Sequence, residues 1–293
     1  MIFPWSENVP AELVRDSVLP DQVIHEKPCD WRPVLTPIAQ ELVRGCATAR
    51  EAVLALATGL PQATGVHYSM ERRAACMNAL EALNEKKVSC TGQSIFLVCA
   101  LRSVGIPARA VGITTWNHIL GNHTWAEAWF EGDWHMIEYN EKDFNTPWVM
   151  ENIGMLDPKE VVQHIFAATP NGKAPYLSAY VLDKRILTAE DVTARYAALA
   201  RVWYEKNGLS PQEQRLMVDL QPRPEQRIPV SIVREDGSIV SAAELPSAQD
   251  DIRELARLVL PREGSFSLQT EGVKMPLKAT DAPVQILRLK AAE

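Results

Sequence analysis

The sequence predicts an α+β fold in which a helix-rich region leads into an antiparallel sheet, followed by a small β-rich domain. Helical patterns dominate before residue 105, polar and apolar residues alternate between His123 and Asn140, and strand patterns dominate after residue 210. Every candidate catalytic residue precedes residue 186. We therefore expect two domains, residues 1–186 and residues 187–293, an ordinary arrangement for a chain of 293 residues.

The N-terminal region is expected to be helical after an extended start. Residues 1–35 are rich in Pro and Trp and predict an extended segment wrapped on the core. Thr36 and Pro37 supply an N-cap and a first helical position, and that helix is expected to end at about residue 44. Two further helices are expected at about residues 48–57 and 69–85.

Cys90 is predicted to stand at the start of the next helix. Residues 91–104 are mostly helix formers, with Gly105 as the expected C-cap and Pro107 just beyond it. Free backbone N–H groups and the helix macrodipole favour a thiolate at such a position and lower its pKa. The same N–H groups can hold an oxyanion. Cys90 is therefore a candidate nucleophile.

A hairpin is predicted to bring further reactive groups onto one face. With a two-residue loop at Glu131–Gly132, His123 lies directly opposite Asn140 and diagonal to Glu138. A Cys, a His and an acid or amide on one surface is the arrangement that generates a thiolate–imidazolium nucleophile. Geometry alone favours Asn140 as the partner of His123.

The C-terminal third is expected to be mostly β. Thr188 and Asp191 fit a capping box for a helix that ends at Asn207–Gly208, although a strand at Asp191 is the alternative. The other elements expected after the hairpin are a helix at 159–168, an extended segment at 174–183, a hairpin at 228–240, a helix at 250–260, and strands at 266–269 and 284–289.

The central stretch resembles a known family, the transglutaminase-like superfamily, over about fifty residues. The features that carry the resemblance are Cys90 with Gly92 and Ser94, the run Leu-Arg-Ser-Val-Gly-Ile-Pro-Ala-Arg at 101–109, the run Asn-His-Thr-Trp-Ala-Glu-Ala-Trp at 122–129, and Trp134 four residues before an acid.

This resemblance implies a papain-like fold with a Cys-His-Asp triad. Cys90 would be the nucleophile, His123 the proton shuttle and Glu138 the orienting acid. The sequence has Glu138 where the family has Asp, and Asn140 stays the alternative. Trp116, His118 and Tyr68 are candidates for the substrate cleft. A metal site built from Cys90, His118 and His123 is disfavoured, because no second cysteine or carboxylate has ligand spacing.

The expected reaction is thiol-dependent acyl chemistry on an amide, with hydrolysis favoured. A protein-glutamine transglutaminase, which passes the acyl group to an amine, is the first alternative. A binding module that keeps the fold without catalysis is the second. The expected partner is a peptide or protein substrate, and no cofactor or metal is expected.

Composition excludes several other classes. A net charge of −7 argues against a nucleic-acid-binding surface, and no stretch approaches the roughly 20 apolar residues of a membrane span. Five cysteines without a Cys-x-x-Cys pair predict free thiols rather than a disulfide framework or a zinc site. The start has no basic region followed by an apolar run, so a cytoplasmic protein and the mature form of an exported protein both fit. The oligomeric state is not readable.

Overall fold

The computed structural model describes residues 3–7, 9–119, 121–175, 188–251 and 254–290. The chain divides into two compact units. The first comprises Met1–Trp116, Gly121–Val149 and Pro158–Ala194, and the second comprises Asn117–Leu120, Met150–Asp157 and Arg195–Glu293. Within the described ranges, no helix combines the length and the apolar character that are needed to cross a membrane.

The described helices are α1 (Ala11–Ser17), α2 (Arg32–Leu42), α3 (Ala49–Thr64), α4 (Ala79–Glu85), α5 (Cys90–Ser103), α6 (Pro147–Ile153) and α7 (Thr193–Lys206), with a 3₁₀ turn at Val161–Gln163. The described strands are β1 (His67–Tyr68), β2 (Lys87–Val88), β3 (Ala108–Ile113), β4 (His123–Phe130), β5 (Asp133–Ile137), β6 (Ile165–Ala168), β7 (Ala174–Pro175), β8 (Thr188–Asp191), β9 (Glu213–Gln221), β10 (Ile228–Arg234), β11 (Ile239–Leu245), β12 (Ala256–Pro261), β13 (Phe266–Thr270), β14 (Val273–Leu277) and β15 (Val284–Lys290).

The first unit is built on a six-stranded antiparallel sheet in the order β5-β4-β3-β6-β8-β7. Helix α5 packs against β3 and β4 and also against α2, α3 and α4. It is apolar and buried almost all round, as a helix at the centre of a core must be. This central position holds the first residue of α5, Cys90, beside the strand that begins at His123.

The second unit is β-rich. Two sheets, with strand orders β11-β10-β13-β14 and β12-β9-β15, enclose a common core. Leu216, Ile232, Leu258 and Leu268 are fully buried in it. The predicted α+β class, with helices packed on an antiparallel sheet and a β-rich C-terminal part, is confirmed.

Helix α3 passes the position where the sequence suggested an end. Thr48 caps it with a capping box to Glu51, as its threonine predicts, but the helix continues through Pro61 to Thr64. A proline inside a helix leaves the carbonyl four residues earlier without its usual donor. Here that carbonyl, on Ala57, accepts the backbone N–H of Asn140 at 3.0 Å. A distant segment thus satisfies the group that Pro61 leaves open.

Three other N-terminal predictions are corrected. Helix α2 begins at Arg32 rather than Thr36, with Pro33 in the first turn, where its missing N–H costs nothing. The segment 69–78 is not helical, because Asn78 forms a capping box with Glu81 and starts α4 only at Ala79. Residues 1–35 also include α1, so they are not wholly extended.

Two helices predicted in the second half of the chain are replaced by paired strands, and a third helix begins later than predicted. Residues 165–168 form strand β6 between β3 and β8, and short buried strands cannot be told from buried helices by periodicity. Residues 256–261 form β12, whose buried residues alternate, rather than a helix over 250–260. Residues 188–191 form β8, the alternative left open at Asp191, and the predicted helix is present as α7 but begins only at Thr193, where Asp191 rather than Thr188 accepts the N–H.

The boundary between the units differs from the expected one. The first unit continues to Ala194 because β8 pairs with β6 in its sheet. Segments 117–120 and 150–157 belong to the second unit. The expected boundary at 186/187, and all but the first two residues of the extended segment expected at 174–183, lie outside the described residues. The assignment of separate roles to residues 1–186 and 187–293 stays a prediction.

A buried ion pair fixes the sheet beside the hairpin. Arg109 Nε donates to Glu127 Oε2 at 2.8 Å, and its Nη1 donates to Glu190 Oε2 at 2.8 Å. The Arg109 guanidinium also lies 4.1 Å from the centre of the Trp134 ring. The side chains of Arg109 and Glu127 are 6% and 0% exposed. Removing either Arg109 or Glu127 would leave the charge of the other side chain buried without this partner.

Replacing Glu127 with alanine is therefore expected to lower the free energy of unfolding by about 3 kcal/mol or more, measured by urea denaturation. The matched control is Glu41→Ala, because Glu41 pairs with Arg44 on the surface of α2. Its expected cost is about 0–1 kcal/mol. Equal losses in the two variants would contradict the importance of burial for this pair.

Candidate active site

Cys90 is the first residue of α5. Ser89 is the N-cap, and its hydroxyl accepts the N–H of Gly92 at 3.0 Å. A Cβ at Gly92 would lie 2.9 Å from the Cβ of Val88, so only glycine allows this close approach of the preceding strand. The N–H groups at the start of a helix have no intrahelical acceptor and carry the positive end of its dipole. The local sequence thus builds a site that favours an anion on sulfur.

His123 joins Cys90 to a carboxylate. Its Nε2 donates to Glu138 Oε1 at 2.6 Å, and both side chains are 15% exposed. The imidazole also lies close enough to Cys90 that each group shifts the pKa of the other. Because Nε2 faces Glu138, the other ring nitrogen, Nδ1, is the one available to the sulfur. The structure therefore brings Cys90, His123 and Glu138 into one chain of contacts.

Asn140 lies elsewhere although the register of the hairpin is the predicted one. Pairing of β4 with β5 runs from Phe130–Asp133 to Ala126–Ile137, which requires the two-residue loop at 131–132. Beyond Ile137 the chain leaves the sheet, and Asn140 adopts a left-handed φ of 67° with its N–H bonded to Ala57. The expectation that Asn140 stands directly opposite His123 assumed a longer strand.

The sulfur and the imidazole change each other's proton affinity. Burial raises the pKa of Cys90, but this effect is outweighed by the hydrogen bond and charge of His123 and by hydrogen bonds from the backbone N–H groups of Thr124 and Thr91, so the pKa is lowered. Burial lowers the pKa of His123, but the contacts with Cys90 and Glu138 raise it to about 9. Each member of the pair therefore favours the charged form of the other, thiolate on Cys90 and imidazolium on His123.

The other four cysteines show the opposite shift. Burial raises the pKa of Cys29 and Cys46, raises that of Cys76 to about 12, and raises that of the fully buried Cys99. These four thiols thus stay protonated at neutral pH, whereas the surroundings of Cys90 favour its thiolate.

Brief treatment with iodoacetamide at pH 6–7 is expected to label Cys90 at least about tenfold faster than any other cysteine, since the thiolate is the reactive form. Peptide mapping by mass spectrometry measures the labelling at each site. Cys46 is the internal control, because it is half-buried like Cys90 but has no imidazole partner. Faster labelling of Cys46 would contradict the assignment of Cys90 as the activated thiol.

Three tryptophans surround the imidazole. The ring centres of Trp148, Trp125 and Trp116 lie 5.1, 5.8 and 6.2 Å from that of His123. Trp125 and Trp116 are buried, but Trp148 is 45% exposed and meets His123 edge to face. Sequence analysis did not select Trp148. The signal available was its position just after Pro147, where the irregular segment after the hairpin becomes helical.

The other candidate cleft residues have varied surroundings. Trp116 lies against His123, as described above. Tyr68 is 51% exposed on β1, pairs with Val88 two residues before Cys90, and donates its hydroxyl to the sulfur of Met70.

His118 belongs to the second unit. Its Nδ1 is buried without a partner among the described residues, and burial, followed by the charges of Arg288 and Arg257, lowers its pKa. Roles for Tyr68 and His118 at the cleft stay predictions.

The part of the chain that carries these residues is similar to known proteins. Residues 36–139 match the family described as the transglutaminase-like superfamily. Among solved structures, the chain is similar to red sea bream transglutaminase, with 13% identity, a TM-score of 0.47, and coverage of 94% of this chain and 66% of that one. It is also similar to the periplasmic domain of TgpA from Pseudomonas aeruginosa bound to ethylmercury, with 21% identity, a TM-score of 0.31, and coverage of 40% and 47%.

In both cases this chain spans less than two thirds of the length of the solved protein. No curated protein sequence is similar enough to count as a match. The transglutaminase-like superfamily consists of cysteine-dependent enzymes that carry out acyl chemistry. The matched residues contain Cys90, His123 and Glu138, together with the helix and strands that carry them. Residues 36–139 of this chain therefore form a transglutaminase-like domain.

Proposed function

We propose that this protein is a cysteine hydrolase that cleaves an amide bond of a peptide or protein substrate through a thioester on Cys90. The observation that carries the proposal is the position of His123, which bonds Glu138 at 2.6 Å and shares a pKa interaction with the Cys90 thiol at the start of α5. Such a relay supplies a nucleophile, a proton carrier and a group that orients the carrier.

In the first half-reaction the Cys90 thiolate attacks the amide carbonyl carbon, and a carbon–sulfur bond forms. The charge that develops on the carbonyl oxygen is stabilised by the backbone N–H of Cys90 at the start of α5. The His123 imidazolium then gives its proton to the leaving nitrogen, the carbon–nitrogen bond breaks, and the amine departs. Glu138 holds the imidazole in place and stabilises its charged form.

In the second half-reaction neutral His123 takes a proton from water, and the hydroxide attacks the thioester carbonyl. The carbon–sulfur bond breaks, the acid is released, and the thiolate and imidazolium are restored. Transfer to an amine passes through the same thioester, so the two reactions differ only in the acceptor. The loop from Trp116 to Asn122 contains no carboxylate, and no Asp-rich loop has calcium-ligand spacing. Water is therefore the acceptor that we favour.

A partition experiment tests the acceptor. The thioester is generated with 4-nitrophenyl acetate, and free acetate is compared with acetylated amine as methylamine is raised to millimolar concentration. We expect mostly acetate and no effect of a calcium chelator, because water is present at much higher concentration than the amine. Efficient capture by the amine, or activity abolished by the chelator, would favour a transglutaminase instead.

The same reagent separates an enzyme from a binding module. Mass spectrometry of the intact protein is expected to show one acetyl group on wild-type chain during turnover and none on Cys90→Ala. A wild-type chain that neither acetylates nor releases 4-nitrophenol above the Cys90→Ala background would support the non-catalytic alternative.

A further inference from the structure

A set of buried hydroxyl groups joins the two elements that carry Cys90 and His123. The hydroxyls of Thr91 on α5 and Thr124 on β4 lie 3.0 Å apart. The hydroxyl of Ser94 lies 2.8 Å from the carbonyl oxygen of Cys90 and 2.9 Å from that of Thr124, so its one proton is shared between them. Each hydroxyl belongs to a residue that follows Cys90 or His123 by four positions or fewer in the sequence.

The early end of β5 makes this connection available. Its ladder with β4 stops at the Ala126–Ile137 pair, so among the described residues no strand pairs with Thr124 on that side of the sheet. The N–H and C=O of one residue in an antiparallel strand point to the same side. In Thr124 the N–H bonds the sulfur of Cys90 and the C=O accepts from Ser94. All three polar groups of Thr124 thus face the N-terminal end of α5.

These contacts are buried. Thr91, Thr124 and Ser94 are 0%, 2% and 4% exposed. Leaving a buried hydroxyl or carbonyl without a hydrogen-bond partner costs free energy. These contacts therefore favour one position of α5 along β4. Apolar packing between α5 and β4 would hold the two elements together but would allow a small slide along the strand. A displacement of about 1 Å at a reacting group can cost about 10²-fold in rate.

We propose that Thr91, Ser94 and Thr124 form a hydroxyl tie that sets the position of the Cys90 sulfur relative to His123, with Ser94 and Thr124 as positioning residues. This inference rests on the proposed function, because it assigns the tie to the same nucleophile. The tie does not touch the substrate. It acts by holding the thiol within reach of the imidazole and of the Thr124 N–H.

Two substitutions at Thr124 separate the hydroxyl from the methyl group. Thr124→Val keeps the shape and removes the hydroxyl, whereas Thr124→Ser keeps the hydroxyl and removes the methyl. Ser94→Ala removes the second contact. Ser103→Ala is the matched control, because Ser103 is on the same helix and bonds only the Ala100 carbonyl within it. The full-length chain is used, and circular dichroism checks folding.

The first measurement is the rate of Cys90 alkylation by iodoacetamide as a function of pH, which needs no substrate. Thr124→Val and Ser94→Ala are expected to move the midpoint to higher pH and to slow labelling at pH 6 by about tenfold, since less thiolate is present. Thr124→Ser and Ser103→Ala should match wild type. With 4-nitrophenyl acetate, the first two should lose kcat by about 10-fold to 100-fold with KM little changed.

A Thr124→Val profile identical to that of wild type would overturn the inference. So would equal impairment of Thr124→Ser and Thr124→Val, because the loss would then not depend on the hydroxyl, which Thr124→Ser keeps. If Ser94→Ala does not fold, the Thr124 pair decides alone. The two proposals fail differently. An ordinary thiol profile for wild-type Cys90 would end both, whereas a low-pH profile unaffected by Thr124→Val would end only the tie.

Discussion

His123→Ala is expected to lower turnover of 4-nitrophenyl acetate by about 10⁴-fold or more, the scale of loss seen when one member of a catalytic unit is removed. Two effects combine. The proton carrier is lost, and the pKa of Cys90 rises, because burial then acts on the thiol without the hydrogen bond and charge that outweigh it. Initial rates and the pH profile of Cys90 alkylation measure the two effects separately.

Two controls sharpen this expectation. The double variant Cys90→Ala, His123→Ala should be no worse than either single variant, since the residues act as one unit. His135→Ala should retain activity, because His135 lies on the neighbouring strand, bonds the Phe130 carbonyl and stacks on the Phe130 ring. A His123→Ala enzyme that keeps a tenth or more of wild-type turnover would contradict the proposed role of the imidazole.

The part of the site that sequence could predict is the part fixed by local rules. The loop Glu131–Gly132, which takes positive φ at both positions, sets the register of the hairpin, and that register follows from the sequence alone. The start of α5 at Cys90 follows in the same way, because Ser89 is a good N-cap and Gly105 a good stop. These two local signals put Cys90 at a helix start and His123 on one strand face with Glu138 and Asn140, and the preference for Glu138 comes from the family resemblance.

The part that sequence could not predict depends on distant partners. Pro61 suggests the end of a helix, and only the N–H of Asn140 explains why α3 continues past it. The same contact draws Asn140 out of the sheet, which no pairing rule for hairpins includes. Likewise, Thr124 is an ordinary strand residue in the sequence, and its contacts with Cys90 and Ser94 arise only because β5 ends at Ile137.

This contrast makes the orienting group the sharpest remaining test. The register alone favours Asn140, whereas the structure brings Glu138 to His123 Nε2. We propose that Glu138 orients His123. Glu138→Gln keeps the size of the side chain and removes its charge, so the imidazolium loses the carboxylate that helps to raise its pKa to about 9. We expect turnover to fall by about 10²-fold to 10⁴-fold, the scale of replacing a triad carboxylate by an amide.

The pH dependence of kcat/KM shows the direction in which Glu138→Gln shifts the pKa values of His123 and Cys90. In wild type, His123 stays protonated up to about pH 9, so the charged pair survives to that pH and is lost above it. In Glu138→Gln the imidazolium is less stable. The alkaline limit of kcat/KM should therefore move to lower pH, and the pKa of Cys90 should rise. Rates measured between pH 5 and 10 test both shifts.

Two neighbouring substitutions are the controls. Asn140→Gly preserves the left-handed φ of 67° and removes only the side chain, and Glu141→Gln removes a neighbouring charge. Both should behave as wild type, and greater damage from Asn140→Gly than from Glu138→Gln would reverse the assignment.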